Sequence, residues 1–218
     1  VPMKPKKTLV LGANGQLGKA LRTVLPEAEF LTRAEFDVSN PDSYVDFAWN
    51  NYATVINASA YTAVDAAETA EGRTAAWQTN VTALGWLAKA CTDNWLTLVH
   101  VSSDYVFDGT QETPYSEEEA FCPLGVYGQT KAAADAIVST VPRHFILRTS
   151  WVIGEGNNFV RTMASLAERG IAPSVVNDQI GRLTFTQDLA EGIKHLLAVK
   201  APFGTYNLTN EGPQTSWA

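Results

Sequence analysis

The sequence predicts an α/β fold, a doubly wound parallel sheet with helices on both faces, and three observations carry that expectation. Short apolar runs of strand length alternate with longer stretches whose apolar residues recur at helical spacing. The first apolar run turns directly into a helix through three glycines at three-residue steps, Gly12-Ala13-Asn14-Gly15-Gln16-Leu17-Gly18. Several later runs end in small or polar residues, where a parallel sheet opens its ligand crevice.

The first strand, Thr8 to Leu11, leads into that turn, and a helix follows to about Leu25. Gly12 permits a sharp exit from the strand, Gly15 lets a diphosphate approach the backbone, and Gly18 lets the helix lie close to the sheet. The helix start, with its unpaired amides and positive dipole end, suits an anion. Gly12, Asn14, Gly15, Gln16 and Leu17 are therefore candidate contacts of a dinucleotide in a Rossmann-like fold. Three glycines at this spacing also occur in plain turns, and the spacing is looser than the G-x-G-x-x-G of many dehydrogenases.

A second strand, Glu29 to Thr32, completes the first right-handed crossover. An NAD enzyme places Asp or Glu at such a strand end to bind the adenine ribose, whereas this chain has Thr32-Arg33. A hydroxyl and a guanidinium favour a 2'-phosphate, hence NADPH, with NADH as the lesser possibility; a surface Arg33 without a role is the competing reading. Asp37-Val38 follow, and Asp37 either reaches the adenine amino group or belongs to the next turn. Asn40-Pro41 then signals a helix to about Asn50.

Ala53 to Asn57 forms a third strand, and its continuation Ala58-Ser59-Ala60-Tyr61 is rich in small residues. These four either let a cofactor lie on the backbone or make a tight loop. A long helix from about Thr74 to Cys91 carries Ala, Leu and Trp at core spacing, with Asn80 as its polar exception. Asn80 supports a site water or a neighbouring strand, or makes a plain structural hydrogen bond.

The fourth strand, Leu96 to Ser102, places Ser103-Asp104 at the ligand edge of the sheet. His100, inside that apolar run, reads as a core histidine. The stretch from Thr110 to Leu124 reads as a lid or a connection. The next helix carries Tyr127-Gly128-Gln129-Thr130-Lys131, and spacing of i and i+4 sets Tyr127 and Lys131 on one face. An ammonium there is expected to lower the phenol's pKa and make Tyr127 a general acid. A lone Y-x-x-x-K is a common accident; behind a nucleotide turn, four strands and a strand-end serine it supplies what hydride transfer needs.

Strands at His144 to Arg148, Ser174 to Val176 and Gly204 to Leu208, and helices from Phe159 to about Arg169 and from Gln187 to Ala198, the latter capped by Thr186, complete the pattern. The expected division is residues 1–150 as an NADP-binding Rossmann-like domain. Residues 151–218 are expected as a partial C-terminal substrate lobe interleaved with the last strands of the main sheet.

Composition narrows the function classes. The chain has 218 residues, 45% hydrophobic and 18% charged, with a net charge of -7, so no basic stripe for nucleic acid is present. No apolar run has the eighteen or so residues that span a membrane. Cys91 and Cys122 lack metal-ligand spacing, and the expected compartment is the cytoplasm. Both ends look cut, with Val1-Pro2 ahead of Met3 and a stop at Ser216-Trp217-Ala218, so a piece of a longer protein is expected.

On these residues the chain resembles the dTDP-4-dehydrorhamnose reductase family of the extended short-chain dehydrogenases/reductases. The resemblance rests on Gly12 to Gly18, Asn57 to Asp65, Ser102 to Gly109, Tyr127 to Lys131, Arg148 to Val152, Gly156 to Val160 and Asn177 to Gly181. Two departures stand out: the family usually has Thr at Ser103, which keeps the hydroxyl, and Pro at Leu183. The resemblance implies NADPH delivering hydride to C4 of a dTDP-linked 4-keto-6-deoxy sugar while Tyr127 protonates the oxygen. It implies that Lys131 tunes Tyr127 and binds the nicotinamide ribose, that Ser103 bonds the sugar carbonyl, and that Asp104 and Trp151 position the sugar. Gly15, Gln16, Leu17, Asp37, Val38, Ser59, Ala60 and Tyr61 are implied to line the cofactor. Family members continue beyond Ala218, so the sugar-nucleotide lobe would be incomplete and poor turnover is expected of this chain alone. The Mg2+ site of some members would fall outside the chain, and no metal ligand is assigned here. A fusion to, or association with, the 3,5-epimerase is a further expectation, as is a homodimer.

Two other readings stay open. A sugar-nucleotide epimerase or dehydratase shares the fold and the tyrosine but wants an acid where Thr32 stands. A regulatory subunit of methionine adenosyltransferase resembles the same reductases and binds NADP without turning over a sugar; Ser103, Tyr127 and Lys131 favour catalysis over it.

Overall fold

The computed structural model of the chain describes residues 6–175, 179–211 and 215–216. Its elements, in order, are β1 (Lys7–Leu11), α1 (Gln16–Val24), β2 (Glu29–Leu31), β3 (Tyr52–Asn57), α2 (Ala70–Trp77), α3 (Ala83–Asp93), β4 (Thr97–Ser103), α4 (Val126–Val138) and β5 (His144–Thr149). They continue with β6 (Val152–Ile153), α5 (Phe159–Glu168), β7 (Ile180–Gly181), β8 (Thr184–Phe185), α6 (Thr186–Ala198), β9 (Gly204–Asn207) and β10 (Thr215–Ser216).

Six strands form one sheet in the order β2-β1-β3-β4-β5-β9, and every neighbouring pair is parallel. The chain steps from β1 to β2 on one side, then crosses back to β3 on the other side of β1. That reversal opens a crevice outside the carboxyl ends of β1 and β3.

The sheet is buried on both faces because alternate side chains point to opposite sides. Leu9, Leu11, Val55, Leu98 and Ile146 pack with Leu84 and Leu87 of α3 and Ala134 and Val138 of α4. Val10, Ile56, Val99, Phe145 and Leu147 pack with Leu17 and Leu21 of α1 and Leu189 and Ile193 of α6. Each of these strand residues is at most 2% exposed, so each contributes about 1.5 to 3 kcal/mol of burial.

Four expected elements differ in the structure. Asn40-Pro41 starts only one short turn, Pro41–Tyr44, and a second covers Trp49–Asn51. Between them Asp46 takes φ +54, which breaks a helix, and this path lets Tyr44, Phe47 and Trp49 pack edge-on around Phe36. The long helix begins earlier, at Ala70, because the Thr69 side chain accepts from the Gly72 amide, and a π-turn at Gln78–Thr82 interrupts it. Thr186 does not cap its helix but is the first residue of α6, with Phe185 ahead of it. Ser174 and Val175 form no strand; Val176 of the expected strand, with Asn177 and Asp178, lies outside the described residues.

The loop after β4 is a fastened connection. The Asn207 backbone amide donates to Glu117 and its side chain donates to the Tyr115 carbonyl, while Phe107 and Tyr115 stack with centroids 4.3 Å apart. Arg148 donates to the Glu117 carbonyl and lies over the rings of Phe107 and Phe121.

Candidate active site

The glycine-rich turn has the shape of an anion site. Gly12 stands at φ +86, and a Cβ there would sit 2.8 Å from the backbone of Ala58 and Ser59 at the end of β3. A Cβ on Gly18 would sit 2.3 Å from the Gly12 carbonyl, so glycine alone lets α1 reach the sheet. Gly15 caps α1 without a side-chain hydrogen bond, and no acid lies in the first turn. The first helical amides are thus left for an external anion, and the residues present fit a dinucleotide diphosphate.

Gln16 does more than edge that turn. Its Oε1 accepts from the Gly154 amide at 2.9 Å and from Asn158 Nδ2 at 3.3 Å, so the start of α1 is tied to the segment before α5. Asn158 in turn caps α5 by accepting from the Arg161 amide, and Lys19 pairs with Glu155 at 2.8 Å. Asn14 lies exposed at the tip of the turn and Leu17 is buried against the sheet.

At the end of β2 the side chains are already partnered. Thr32 donates from both its amide and its hydroxyl to Glu35 at 2.8 Å, and these bonds hold the Glu35 carboxyl below the usual range. Arg33, with a side chain 82% exposed, pairs with Asp37 at 3.0 Å. Asp37 also accepts from the amide and hydroxyl of Ser39, and Val38 is buried. The expectation that this strand end offers a free hydroxyl and no carboxylate is therefore corrected: Glu35 folds back onto Thr32.

Beyond β3, the Ala58 amide donates to the Leu11 carbonyl, Ser59 donates to Asn57 Oδ1 from its hydroxyl at 2.6 Å, and Ala60 is exposed. Tyr61 is clamped by Asn80, which accepts from the Tyr61 amide at 2.9 Å and donates to its carbonyl at 3.1 Å. Asn80 also donates to Thr130 in α4, so it joins the loop after β3 to the helix that carries Tyr127. The π-turn sets this one buried amide facing both partners.

Ser103 ends β4 with its hydroxyl donating to Asp104 Oδ1 at 3.0 Å and accepting from the Tyr105 amide. Tyr127 meets Tyr105 edge-on at 5.6 Å. Gly128 permits that approach, because a Cβ there would stand 2.2 Å from the Tyr105 carbonyl. Glu68 fixes the start of α4 by accepting from the Val126 amide at 2.8 Å.

Burial dominates the electrostatics of the site. Burial pushes the Tyr127 phenol up, the Asp104 carboxylate adds to it, and the Ser103 side chain pulls the other way. Lys131 stands one turn further along α4. Its Nζ donates to the Val101 carbonyl at 2.7 Å and lies 3.4 Å from His100 Nε2, and burial brings its own pKa down to about 8. Asp104 is pushed up to about 6 by burial. His100 is a buried histidine as expected, yet it touches the lysine, which its place in an apolar run did not disclose. Asp135 extends the Tyr127 and Lys131 face by one more turn and pairs with Arg148 at 3.0 Å, both side chains at most 6% exposed. A charge at i+8 was the signal that could have found it.

Trp151 stands at φ +41, with its ring against Gly181, where a Cβ would lie 2.7 Å from the indole. It lines a cleft of about 320 Å3 with Tyr105, Ile153, Phe159 and Gln179. Tyr105 lines this cleft and packs on Tyr127, so the cleft adjoins the tyrosine. Among the described residues no group of three His, Cys, Asp or Glu could hold a metal, and no helix is long and apolar enough to cross a membrane.

A family model described as the RmlD substrate binding domain matches residues 6–218. The dTDP-4-dehydrorhamnose reductase of Aggregatibacter actinomycetemcomitans is 39% identical over an alignment that covers 97% of this chain and 75% of that relative. A probable dTDP-4,6-dihydroxy-2-methyloxan-3-one 4-ketoreductase of Streptomyces antibioticus is 39% identical over 95% of this chain and 72% of its own length. Among solved structures, the Bacillus anthracis dTDP-4-dehydrorhamnose reductase in complex with NADP superposes with a TM-score of 0.89 at 34% identity, covering 98% of this chain and 77% of that one. The Clostridium acetobutylicum reductase gives 0.88 at 35%, over 97% and 76%. A family model over nearly the whole chain, relatives at this identity and the glycine turn with its strand-end serine and tyrosine helix lead to one conclusion: the chain belongs to the dTDP-4-dehydrorhamnose reductase family.

Proposed function

We propose that this chain reduces the 4-keto group of dTDP-4-dehydro-β-L-rhamnose to give dTDP-L-rhamnose, with NADPH as reductant. The observation that carries the reading is the meeting of Tyr127 and the Ser103-Asp104 strand end beside the cleft at Trp151. The nicotinamide, when bound, supplies the hydride. Gly12, Gly15 and the first amides of α1 hold the diphosphate, with Ala58, Ser59, Ala60 and Tyr61 along the crevice edge. The Ser103 hydroxyl turns from Asp104 to the sugar carbonyl, and the Tyr127 phenol, which burial keeps protonated, gives its proton to the C4 oxygen as the C–H bond forms. Lys131 stands one turn along the same helix and binds the nicotinamide ribose. Asp104 and Trp151 shape the sugar side. Cytoplasmic residence, a second copy of the chain and the 3,5-epimerase as partner belong to the same proposal, and gel filtration with and without the epimerase checks the last two.

One observation favours a second reading. Glu35 sets a carboxylate on Thr32, the feature that a sugar-nucleotide epimerase with a retained NAD would use. The two readings part on turnover: a reductase consumes NADPH in proportion to keto-sugar, whereas an epimerase leaves the nicotinamide unchanged at the end. Nicotinamide absorbance with the dTDP-4-keto sugar, for wild type and Tyr127→Phe in the full-length protein, tests the proposal. Wild type should consume NADPH, and Tyr127→Phe should lose about 10²- to 10⁴-fold in kcat while binding NADPH nearly as before. Near-normal turnover by Tyr127→Phe would make the helix at Tyr127 structural and the mechanism wrong.

A further inference from the structure

Asn57 and His100 are register partners on β3 and β4, on the sheet face that α4 covers. Asn57 Oδ1 accepts from the Ser59 amide at 3.2 Å and from its hydroxyl at 2.6 Å. A backbone N–H can only donate, so the oxygen must face Ser59 and the amide cannot be turned over. Asn57 Nδ2 therefore points at His100 Nδ1, 3.4 Å away, and makes that nitrogen an acceptor. A neutral imidazole carries one proton, so it resides on Nε2, which lies 3.4 Å from Lys131 Nζ. An N–H facing a nitrogen is favourable when that nitrogen offers a lone pair and unfavourable when it is an ammonium.

We infer that Asn57 and His100 are positioning residues for Lys131: Asn57 fixes the proton of His100 on Nε2, and this N–H, held against the lysine nitrogen, favours the uncharged amine. The inference rests on the proposed function for the importance of Lys131, not for the hydrogen-bond chain itself. The other groups facing the lysine act the opposite way. The Val101 carbonyl of β4 accepts from Nζ, and Asp135, one turn along α4 and paired with Arg148 of β5, supports the cation. His100 is 1% exposed and Lys131 2%, so bulk water does not supply an alternative partner. Burial and the Lys131 charge hold the imidazole itself well below its usual range, which keeps it neutral. Ser59 lies on the edge of the proposed cofactor crevice, so the chain Ser59, Asn57, His100, Lys131 connects that edge to the tyrosine helix.

The test uses nuclear magnetic resonance on this chain and needs no turnover. Long-range proton–nitrogen spectra should show His100 with its proton on Nε2. In Asn57→Asp the carboxylate accepts from Nδ1, so the proton should move there and free Nε2 to accept from the ammonium. Lysine Cε titration should then show Lys131 binding its proton about tenfold or more tightly in Asn57→Asp, and also in His100→Gln, whose side-chain oxygen can face the ammonium. Amide spectra identify a variant that fails to fold, and the wild-type tautomer still decides the matter in that event. A wild-type proton on Nδ1, or an unchanged Lys131 titration in a folded variant, would overturn the inference. These shifts together with a failure of the full-length protein to reduce the keto-sugar would keep the inference and overturn the proposed function.

Discussion

The carboxyl edge of the sheet presents two regions of unlike construction. Around β1, β3, β4 and α4 the site is set in the core, where Ser103, Asn57, His100, Lys131 and Asp135 are each at most 7% exposed. From Trp151 to Phe185 the described residues form three two-residue strands and one helix, α5, which has no buried residue of its own. The first region is held by apolar packing. The second is held by polar ties: Gln16 to Gly154, Lys19 to Glu155, Ser150 to the Arg182 carbonyl and the Thr184 amide to the Trp151 carbonyl. The residues from Ser103 to Asp135 thus sit on rigid elements, while the segment from Trp151 to Phe185 hangs from bonds that can open one at a time.

The largest expected effect comes from breaking the buried region. Arg148→Leu strips the buried Asp135 carboxylate of its guanidinium partner and removes the tie to the Glu117 carbonyl. It should cost about 3 to 5 kcal/mol in urea unfolding. A loss of only a few tenths would mean that the pair behaves as a surface ion pair and that the two regions are alike in their support.

A smaller effect should carry the opposite sign. Burial lifts the Asp104 carboxyl from 3.8 to about 6 in the folded chain. Between those values the folded chain keeps a proton that the unfolded chain has lost, so this group's contribution to stability falls as pH rises through the window. Asp104→Asn should match wild type near pH ~4 and exceed it by about 1 to 3 kcal/mol near pH ~7.5, while lowering turnover of the sugar. Urea unfolding at the two pH values checks the sign, and a gain independent of pH would show that the carboxylate is well solvated.

The mildest change concerns the exposed end of β2. Glu35→Gln removes the carboxylate that holds Thr32 while keeping an acceptor. It should raise the preference for NADPH over NADH by a few-fold, about the size of one screened surface charge. Titration of both cofactors measures it, and an unchanged ratio would place the adenosine ribose away from Thr32.

Most of the architecture was legible because burial on both faces demands continuous apolar strands such as Leu9 to Leu11 and Leu98 to Val99, and because the glycine spacing answers to a steric need at Gly12 and Gly18. The segment after Asn40 was misread since its start signal is real but its continuation is decided by Tyr44, Phe47 and Trp49 finding Phe36, a tertiary choice. His100 looked like core because it is core; its partner Asn57 lies 43 residues away and becomes a neighbour only through strand register. Glu35 was missed since its target is the residue three before it, a local turn contact that periodicity does not report. The raised phenol at Tyr127 has the same root: spacing set the lysine on the same helix face, but the depth of burial, which spacing does not report, dominates the phenol.

Hydrogen exchange on wild type and Gln16→Leu, with and without NADPH, tests the contrast between the two regions most directly. The account predicts that amides of β1, β3 and β4 exchange orders of magnitude more slowly than those from Trp151 to Gly181 in the free chain. It further predicts that NADPH slows exchange at Gly154 to Asn158 in wild type through the Gln16 side chain, and that Gln16→Leu loses this second effect while keeping protection at the glycine-rich turn. Equal protection of both regions, or an undiminished response of Gly154 in Gln16→Leu, would contradict it.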